Sequence, residues 1–169
     1  DVGEMYFINE NTGWVLNHHQ ILKTINQGSN WSVYTIGPIS NSFSRILFLD
    51  ENTGIVAGNG LARTSNGGVN WSIIIPYSLY DISKDNFNNV YASGYNIFLK
   101  STNYGQDWSN ISNMTGVGAY NLTMVNQYTG YVSGGSGKIL KTTDGGVTWY
   151  RLYSKFSLQI RAMFFLNES

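Results

Sequence analysis

An all-β chain assembled from tandem four-stranded units is what these 169 residues predict, and three observations carry that expectation. Four of the five tryptophans, Trp31, Trp71, Trp108 and Trp149, recur at spacings of 40, 37 and 41 residues, and each closes the same phrase, Ser/Thr-x-Asp/Asn-x-Gly-x-x-Trp. Short runs rich in β-branched and aromatic residues alternate with turn signals about every 8–12 residues. No stretch keeps a 3.6-residue apolar period, so helices are expected to be scarce. Four strands in about 40 residues is the arithmetic of a β-propeller blade.

The first unit sets the pattern. Residues 4–8 form an apolar strand ended by the turn 9–13, and 14–17 form the second strand. His18-His19 sits at a hairpin tip, 20–24 is the third strand, the tryptophan phrase is a turn, and 31–36 is the fourth strand. The opening phrase F-I-N-E-N-T-G-W-V at 7–15 returns as F-L-D-E-N-T-G-I-V at 48–56 and M-V-N-Q-Y-T-G-Y-V at 124–132. The third copy is degenerate, with Asn88-Asn89-Val90-Tyr91 replacing the Thr-Gly turn. An apolar pair and a basic residue precede the boxes: Ile21-Leu22-Lys23, Leu61-Ala62-Arg63, Phe98-Leu99-Lys100 and Ile139-Leu140-Lys141. The chain thus reads as one propeller segment, 1–169, with repeats at 4–43, 44–80, 81–120 and 121–160, and 161–169 starting a fifth. Met5 to Glu10 matches Met163 to Glu168 in phase, which favours a piece of a larger propeller of six to eight blades.

Each box residue has a structural reason. Thr24, Thr64, Ser101 and Thr142 supply a hydroxyl for local bonds. Asn26, Asn66, Asn103 and Asp144 can accept backbone N–H groups within the turn. Gly28, Gly68, Gly105 and Gly146 can take a positive φ. Trp31, Trp71, Trp108 and Trp149 begin the next strand and are expected to bury their rings between blades. Recurrence in every unit suits packing better than a single reaction centre.

The box resembles the Asp-box, the bacterial neuraminidase repeat. The longer unit, with its T-G-W-V, I-L-K-T and T-D-G-G-x-T-W phrases, is similar to the repeats of photosystem II assembly-factor-like propellers. The likeness covers essentially the whole chain. It departs from the pattern at Asn26, Asn66 and Asn103, where the family has an acid; Asn accepts the same turn bonds. The resemblance implies a propeller of six or more blades on a bacterial protein.

Composition narrows the function. Ten Lys plus Arg balance ten Asp plus Glu, and only 12% of residues are charged. Neutralising phosphates needs a basic surplus, so nucleic acid is not an expected partner. No apolar run approaches the ~18 residues of a membrane helix, so membrane insertion is not expected. The absence of cysteine excludes disulfides and thiolate metal sites within the chain. No metal, cofactor or catalytic residue is assigned. His18-His19 reads as exposed turn residues, and the glycine run at 134–137 as a hairpin turn, not a phosphate loop.

The enzyme alternative is a carbohydrate-active propeller, sialidase or endoglucanase-like, with its site mostly outside this segment. A sialidase needs three clustered arginines, and the chain has Arg45, Arg63, Arg151 and Arg161 in all. A paired-carboxylate glycosidase needs two acids across a cleft. Asp50-Glu51 falls in a turn, and Asp81 and Asp85 lie in the irregular third unit. The favoured reading is a non-enzymatic interaction scaffold of an exported bacterial protein: extracellular, cell-surface or periplasmic. It would bind protein or glycan through loops on one propeller face, and could also associate through exposed terminal strands or with missing blades. Tyr77, Tyr80, Tyr95, Tyr104 and Tyr120, in or near loops, suit adaptable polar binding. Asn-x-Ser/Thr triplets occur at Asn30, Asn70, Asn110, Asn113, Asn121 and Asn167.

Overall fold

The computed structural model describes residues 3–37, 42–111, 118–152, 157, 159–160 and 163. They fall into two compact units, 1–79 and 80–169, each holding two four-stranded sheets. The expected fifth repeat at 161–169 lies, except for Met163, outside the described residues.

In the first unit, one sheet is β1 (Met5–Phe7), β2 (Gly13–Asn17), β3 (Gln20–Thr24) and β4 (Ser32–Thr35). The next is β5 (Phe43–Phe48), β6 (Gly54–Gly58), β7 (Gly60–Thr64) and β8 (Ser72–Ile75). In the second unit, β9 (Asp81–Lys84), β10 (Val90–Gly94), β11 (Ile97–Ser101) and β12 (Ser109–Asn110) form one sheet. There β13 (Ala119–Met124), β14 (Gly130–Gly134), β15 (Ile139–Thr142) and β16 (Tyr150–Leu152) form the other. Every sheet is an antiparallel meander with its strands in chain order. The second strands β6 and β10 are buried throughout, whereas β12 and β16 are wholly exposed edges. A second strand is covered on both faces, so it reads as a continuous run of small and apolar residues instead of alternating. The one helical element among the described residues is a single 3-10 turn, Gly135–Gly137, which closes the β14–β15 hairpin.

The turn after each first strand is built on one side chain. Asn9 Oδ1 accepts the N–H groups of Asn11 and Thr12 at 2.9 and 2.8 Å, and Asp50 Oδ1 those of Asn52 and Thr53 at 2.8 and 2.6 Å. Asn126 Oδ1 does the same for Tyr128 and Thr129. Asp85 Oδ1 accepts from Phe87 and Asn89, so the degenerate third copy keeps the turn without its Thr-Gly.

In each unit a core of described residues lies between the two sheets. In the first, Trp14, Leu16 and Ile21 meet Phe43, Ile46, Phe48, Val56 and Ala62. In the second, Tyr91 and Phe98 meet Ala119, Leu122, Met124, Val132 and Leu140. Trp14 is the fully buried tryptophan of the first core. Its ring stacks on Phe48 with centroids 3.5 Å apart and planes 7° apart, and its indole N–H donates to the Gly67 carbonyl at 3.0 Å. Gly68, at φ +92°, leaves room for this, since a Cβ there would come within 3.3 Å of the Trp14 nitrogen. The second unit repeats the joint: Phe98 lies edge-on to Trp149, centroids 4.9 Å apart, beneath Gly146.

Carboxylates also link the sheets. Glu4 Oε2 accepts the Ile46 N–H at 2.6 Å, and Asp81 Oδ2 accepts the Leu122 N–H at 2.7 Å. The second unit continues the spacing beyond its last sheet. Ser93 Oγ donates to the Ala119 carbonyl, and Ser133 Oγ and Asn121 Nδ2 donate to that of Ile160.

Candidate functional site at the ends of the sheets

The boxes lie at the end of each sheet where the third strand turns into the fourth, and their polar groups are used within the turn. In the first box Thr24 Oγ1 donates to Asn26 Oδ1 and accepts the N–H groups of Asn26 and Gly28, while Asn26 Oδ1 accepts from Asn30. Thr64 and Asn66, Ser101 and Asn103, and Thr142 and Asp144 make the same set with Gly68 and Asn70, Gly105 and Asp107, and Gly146 and Thr148. Gly28, Gly68, Gly105 and Gly146 all have φ between +74° and +96°. The Asp144 carboxyl is held below the usual aspartate range, first by the Thr148 hydroxyl and then by its amide.

The box tryptophans are less buried than expected, although Trp71 and Trp149 do pack against the cores between sheets. Trp31 is exposed, and Trp71, Trp108 and Trp149 are half-buried. The indoles of Trp71, Trp108 and Trp149 donate to the carbonyls of Gly68, Gly105 and Gly146 at 3.0, 3.1 and 2.9 Å. Each ring folds back over its own turn, and the full burial goes to Trp14 on a second strand.

The candidate acids are likewise tied to the scaffold. Asp50 holds a turn, and Glu51 accepts from Asn9 Nδ2 at 3.1 Å. Buried Asp85 accepts from Asn89 Nδ2 at 2.7 Å and the Tyr91 hydroxyl at 3.1 Å, besides its two turn amides. Burial, reinforced by the Asp85 carboxylate, pushes the Tyr91 hydroxyl well above the ordinary tyrosine range, so it is a fixed donor. Asp81 accepts from Ile82 and Leu122. Arg45, the third residue of β5, aligns through Ala57 with Leu61, two residues from Arg63 on β7; Arg151 lies on β16 of the other unit. Arg161 is outside the described residues.

The opposite end, where the second strand turns into the third, carries different chemistry. In the second unit Tyr80 precedes β9 and Tyr95 follows β10, and the pairing of Asp81 with Ser93 puts them at one end. Tyr95 bridges to Gly118, and Tyr120 packs against Tyr80 with centroids 5.1 Å apart. Tyr95 is 62% exposed on a tight two-residue hairpin, with Asn96 at φ 57°. In the first unit the same end holds a cleft of about 400 Å³ lined by Gly3, Glu4, His18, Ser42, Phe43 and Arg45. His18 Nδ1 lies 3.2 Å from Ser42 Oγ, and His18 bridges to Phe43 as Tyr95 does to Gly118.

Of the five tyrosines read from the sequence, this end gathers Tyr80, Tyr95 and Tyr120. Tyr104 sits in the third box at φ 59°, and Tyr77 is exposed in the segment after β8. Among the described residues no group of three or more His, Cys, Asp or Glu could hold a metal ion, and no helix is long and apolar enough to cross a membrane. Asn121 is buried and hydrogen-bonded, so its Asn-x-Thr triplet is not presented to solvent.

No family model and no curated protein matches the sequence. Solved structures do match. An ancestral GH74 enzyme aligns with 91% of the chain at a TM-score of 0.72 and 17% identity. PorZ, a surface component of the type-IX secretion system of Porphyromonas gingivalis, aligns with 92% at a TM-score of 0.70 and 13% identity. YCF48 bound to D1 peptide aligns with 89% at a TM-score of 0.57 and 18% identity. The chain spans 24%, 23% and 66% of these proteins respectively. All three are β-propeller proteins, and the four sheets described above are propeller blades.

Proposed function

We propose that the chain is part of an Asp-box-type propeller that serves as a non-enzymatic interaction scaffold on an exported or cell-surface bacterial protein. It binds protein or glycan through the end of its sheets where the second strand turns into the third. The observation that carries this reading is the Tyr80, Tyr95 and Tyr120 group, held at strand ends with Asn96, while Asp81 beside it accepts two backbone amides. Rigid aromatic rings with polar rims give contact area at low entropic cost. The likeness to YCF48 bound to a peptide and to the surface component PorZ supports this reading at the level of fold.

A second reading, a carbohydrate-active enzyme, is favoured by the cleft that brings Glu4, His18 and Arg45 together and by the likeness to a GH74 enzyme. One experiment separates the two. The chain is screened on a soluble-glycan array and a displayed-peptide library, and against polysaccharides for release of reducing ends. The scaffold reading expects a ligand whose affinity drops at least about tenfold in Tyr95→Ser and Tyr120→Ser at unchanged melting temperature. Release of reducing ends that Glu4→Gln abolishes without unfolding the chain would establish the enzyme instead.

A further inference from the structure

The end where second strands turn into third has the same backbone plan in both units and is filled differently in each. The acid that reaches the next sheet is Glu4 in the first unit and Asp81 in the second. The residue before each acid donates its N–H to the second strand, Gly3 to the Leu16 carbonyl and Tyr80 to that of Ser93. The first strand of the next sheet then carries a bulge, with Ser44 as the extra residue between Phe43 and Arg45, and Tyr120 between Ala119 and Asn121. A bulge re-aims the side chain it carries. Gly3 therefore corresponds to Tyr80, Ser44 to Tyr120, and Ser42 to Gly118.

In the second unit the chain's own rings occupy this place. Tyr120 packs on Tyr80 with centroids 5.1 Å apart, and it covers Gly118, where an added Cβ would come within 3.0 Å of its ring. In the first unit a glycine and a serine replace the two rings. A side chain at residue 3 would need the backbone to shift, since a Cβ on Gly3 would come within 2.5 Å of the Leu16 carbonyl. The result is the cleft of about 400 Å³, a volume within the range of small-molecule sites.

The walls of the cleft select the ligand. Glu4 brings a carboxylate, Arg45 a guanidinium, and Ser42 and Ser44 hydroxyls, with His18 Nδ1 3.2 Å from Ser42 Oγ. The two formal charges cancel, so a charged ligand of either sign would meet a like charge. The carboxylate only accepts hydrogen bonds, the guanidinium only donates them, and the hydroxyls do both. A phenol offers one hydroxyl to these groups, whereas a sugar ring offers several, each both donor and acceptor.

We propose that the cleft of the first unit binds one neutral sugar ring, intact, whose hydroxyls donate to Glu4 and accept from Arg45, with the two serines completing the set. The proposal rests on the glycan side of the scaffold reading and uses none of its tyrosines.

The test titrates the isotope-labelled chain with methyl glycosides of glucose, galactose, mannose and N-acetylglucosamine, and separately with glucuronic acid and N-acetylneuraminic acid, while backbone amide resonances are followed. At least one neutral sugar should shift the amides of residues 42–45 saturably, with a Kd on the order of 1 mM, and neither acidic sugar should compete. Ser44→Tyr, which installs the residue the second unit uses, should weaken that binding at least about tenfold at unchanged melting temperature. Should Ser44→Tyr fail to fold, Arg45→Met, which removes the donors, is expected to show the same loss. The proposal is overturned if no neutral sugar shifts these amides, if an acidic sugar binds more tightly, or if binding survives the substitutions. A glycan whose binding falls in Tyr95→Ser and not in Ser44→Tyr would overturn it while leaving the scaffold reading standing. Shifts at residues 42–45 that Tyr95→Ser leaves unchanged would support the cleft and count against the tyrosine group.

Discussion

Replacing Trp14 with alanine is expected to be the most damaging single aromatic truncation in the first unit. The ring is fully buried, stacks on Phe48 at 3.5 Å and donates its N–H to Gly67. Truncating a buried aromatic to alanine costs about 3–5 kcal/mol through lost transfer energy and the cavity left behind. The lost hydrogen bond adds roughly 1 kcal/mol, because the Gly67 carbonyl is left in a buried turn. The sum is about 4–6 kcal/mol, a fall of roughly 8–24 °C for a chain of this size. Trp14→Phe keeps a ring on Phe48 and loses mainly the donor, so about 1–2 kcal/mol is expected. Trp71→Ala removes a half-buried ring that folds back on its own box, and about 2 kcal/mol is expected. Urea unfolding followed by far-ultraviolet circular dichroism, with the slopes compared between variants, ranks the three. If Trp14→Ala lies within about 1 kcal/mol of the parent chain, or Trp71→Ala is worse, the joint between sheets does not rest on the second-strand aromatic.

Other outcomes follow from the same geometry. Asp85→Ala deletes an acceptor used by two turn amides, Asn89 and the Tyr91 hydroxyl, and should cost about 3 kcal/mol in urea unfolding. Asp50→Ala, in a more exposed turn with two bonds, should cost about 1 kcal/mol. Gly68→Ala forces a Cβ into φ +92° beside Trp14 and should cost about 1–2 kcal/mol in the same assay. For Asp144, a depressed folded-state pKa means the carboxylate favours the folded chain above its unfolded value, and this support fades as pH falls through the folded value. Asp144→Asn, which copies the other three boxes but lacks that charge, should therefore lower the melting temperature slightly at neutral pH and match the parent chain in acid. It should also make melting less sensitive to pH below roughly 4.

Much of this architecture was legible in the sequence because it repeats. Four copies of one turn chemistry, spaced by four short apolar runs, leave little freedom in strand order. The hydroxyl and amide of each box serve the turn that their spacing implies. The box tryptophan was harder to place, because spacing tells that a ring lies near a turn and not which side it folds to. The indole N–H settles that by bonding the nearest carbonyl three residues back, which holds the ring over its own turn. Burial passes to Trp14, whose position in the Thr-Gly-x phrase is held by Trp14, Ile55 and Tyr131 in turn and so hid its role. Glu4 and Asp81 were missed as ties between sheets, since an acid at a strand start carries no signal until the next sheet's amide is in view. The spacing of about one repeat between each acid and its amide is the signal that could have found them. The tyrosine group at the end where second strands turn into third was visible only as composition, because Tyr80 and Tyr120 are a full repeat apart and meet through packing.

The central claim is that the two sheets within each unit are blades joined along their first strands, and the backbone amides of Ile46 and Leu122 test it most directly. Both lie on first strands that pair on one side only, within the sheets, and both point to a carboxylate of the preceding sheet. The account predicts that both exchange slowly, and that Asp81→Ala releases Leu122 while leaving Ile46 protected. Exchange of both amides as fast as in an open sheet edge would contradict it.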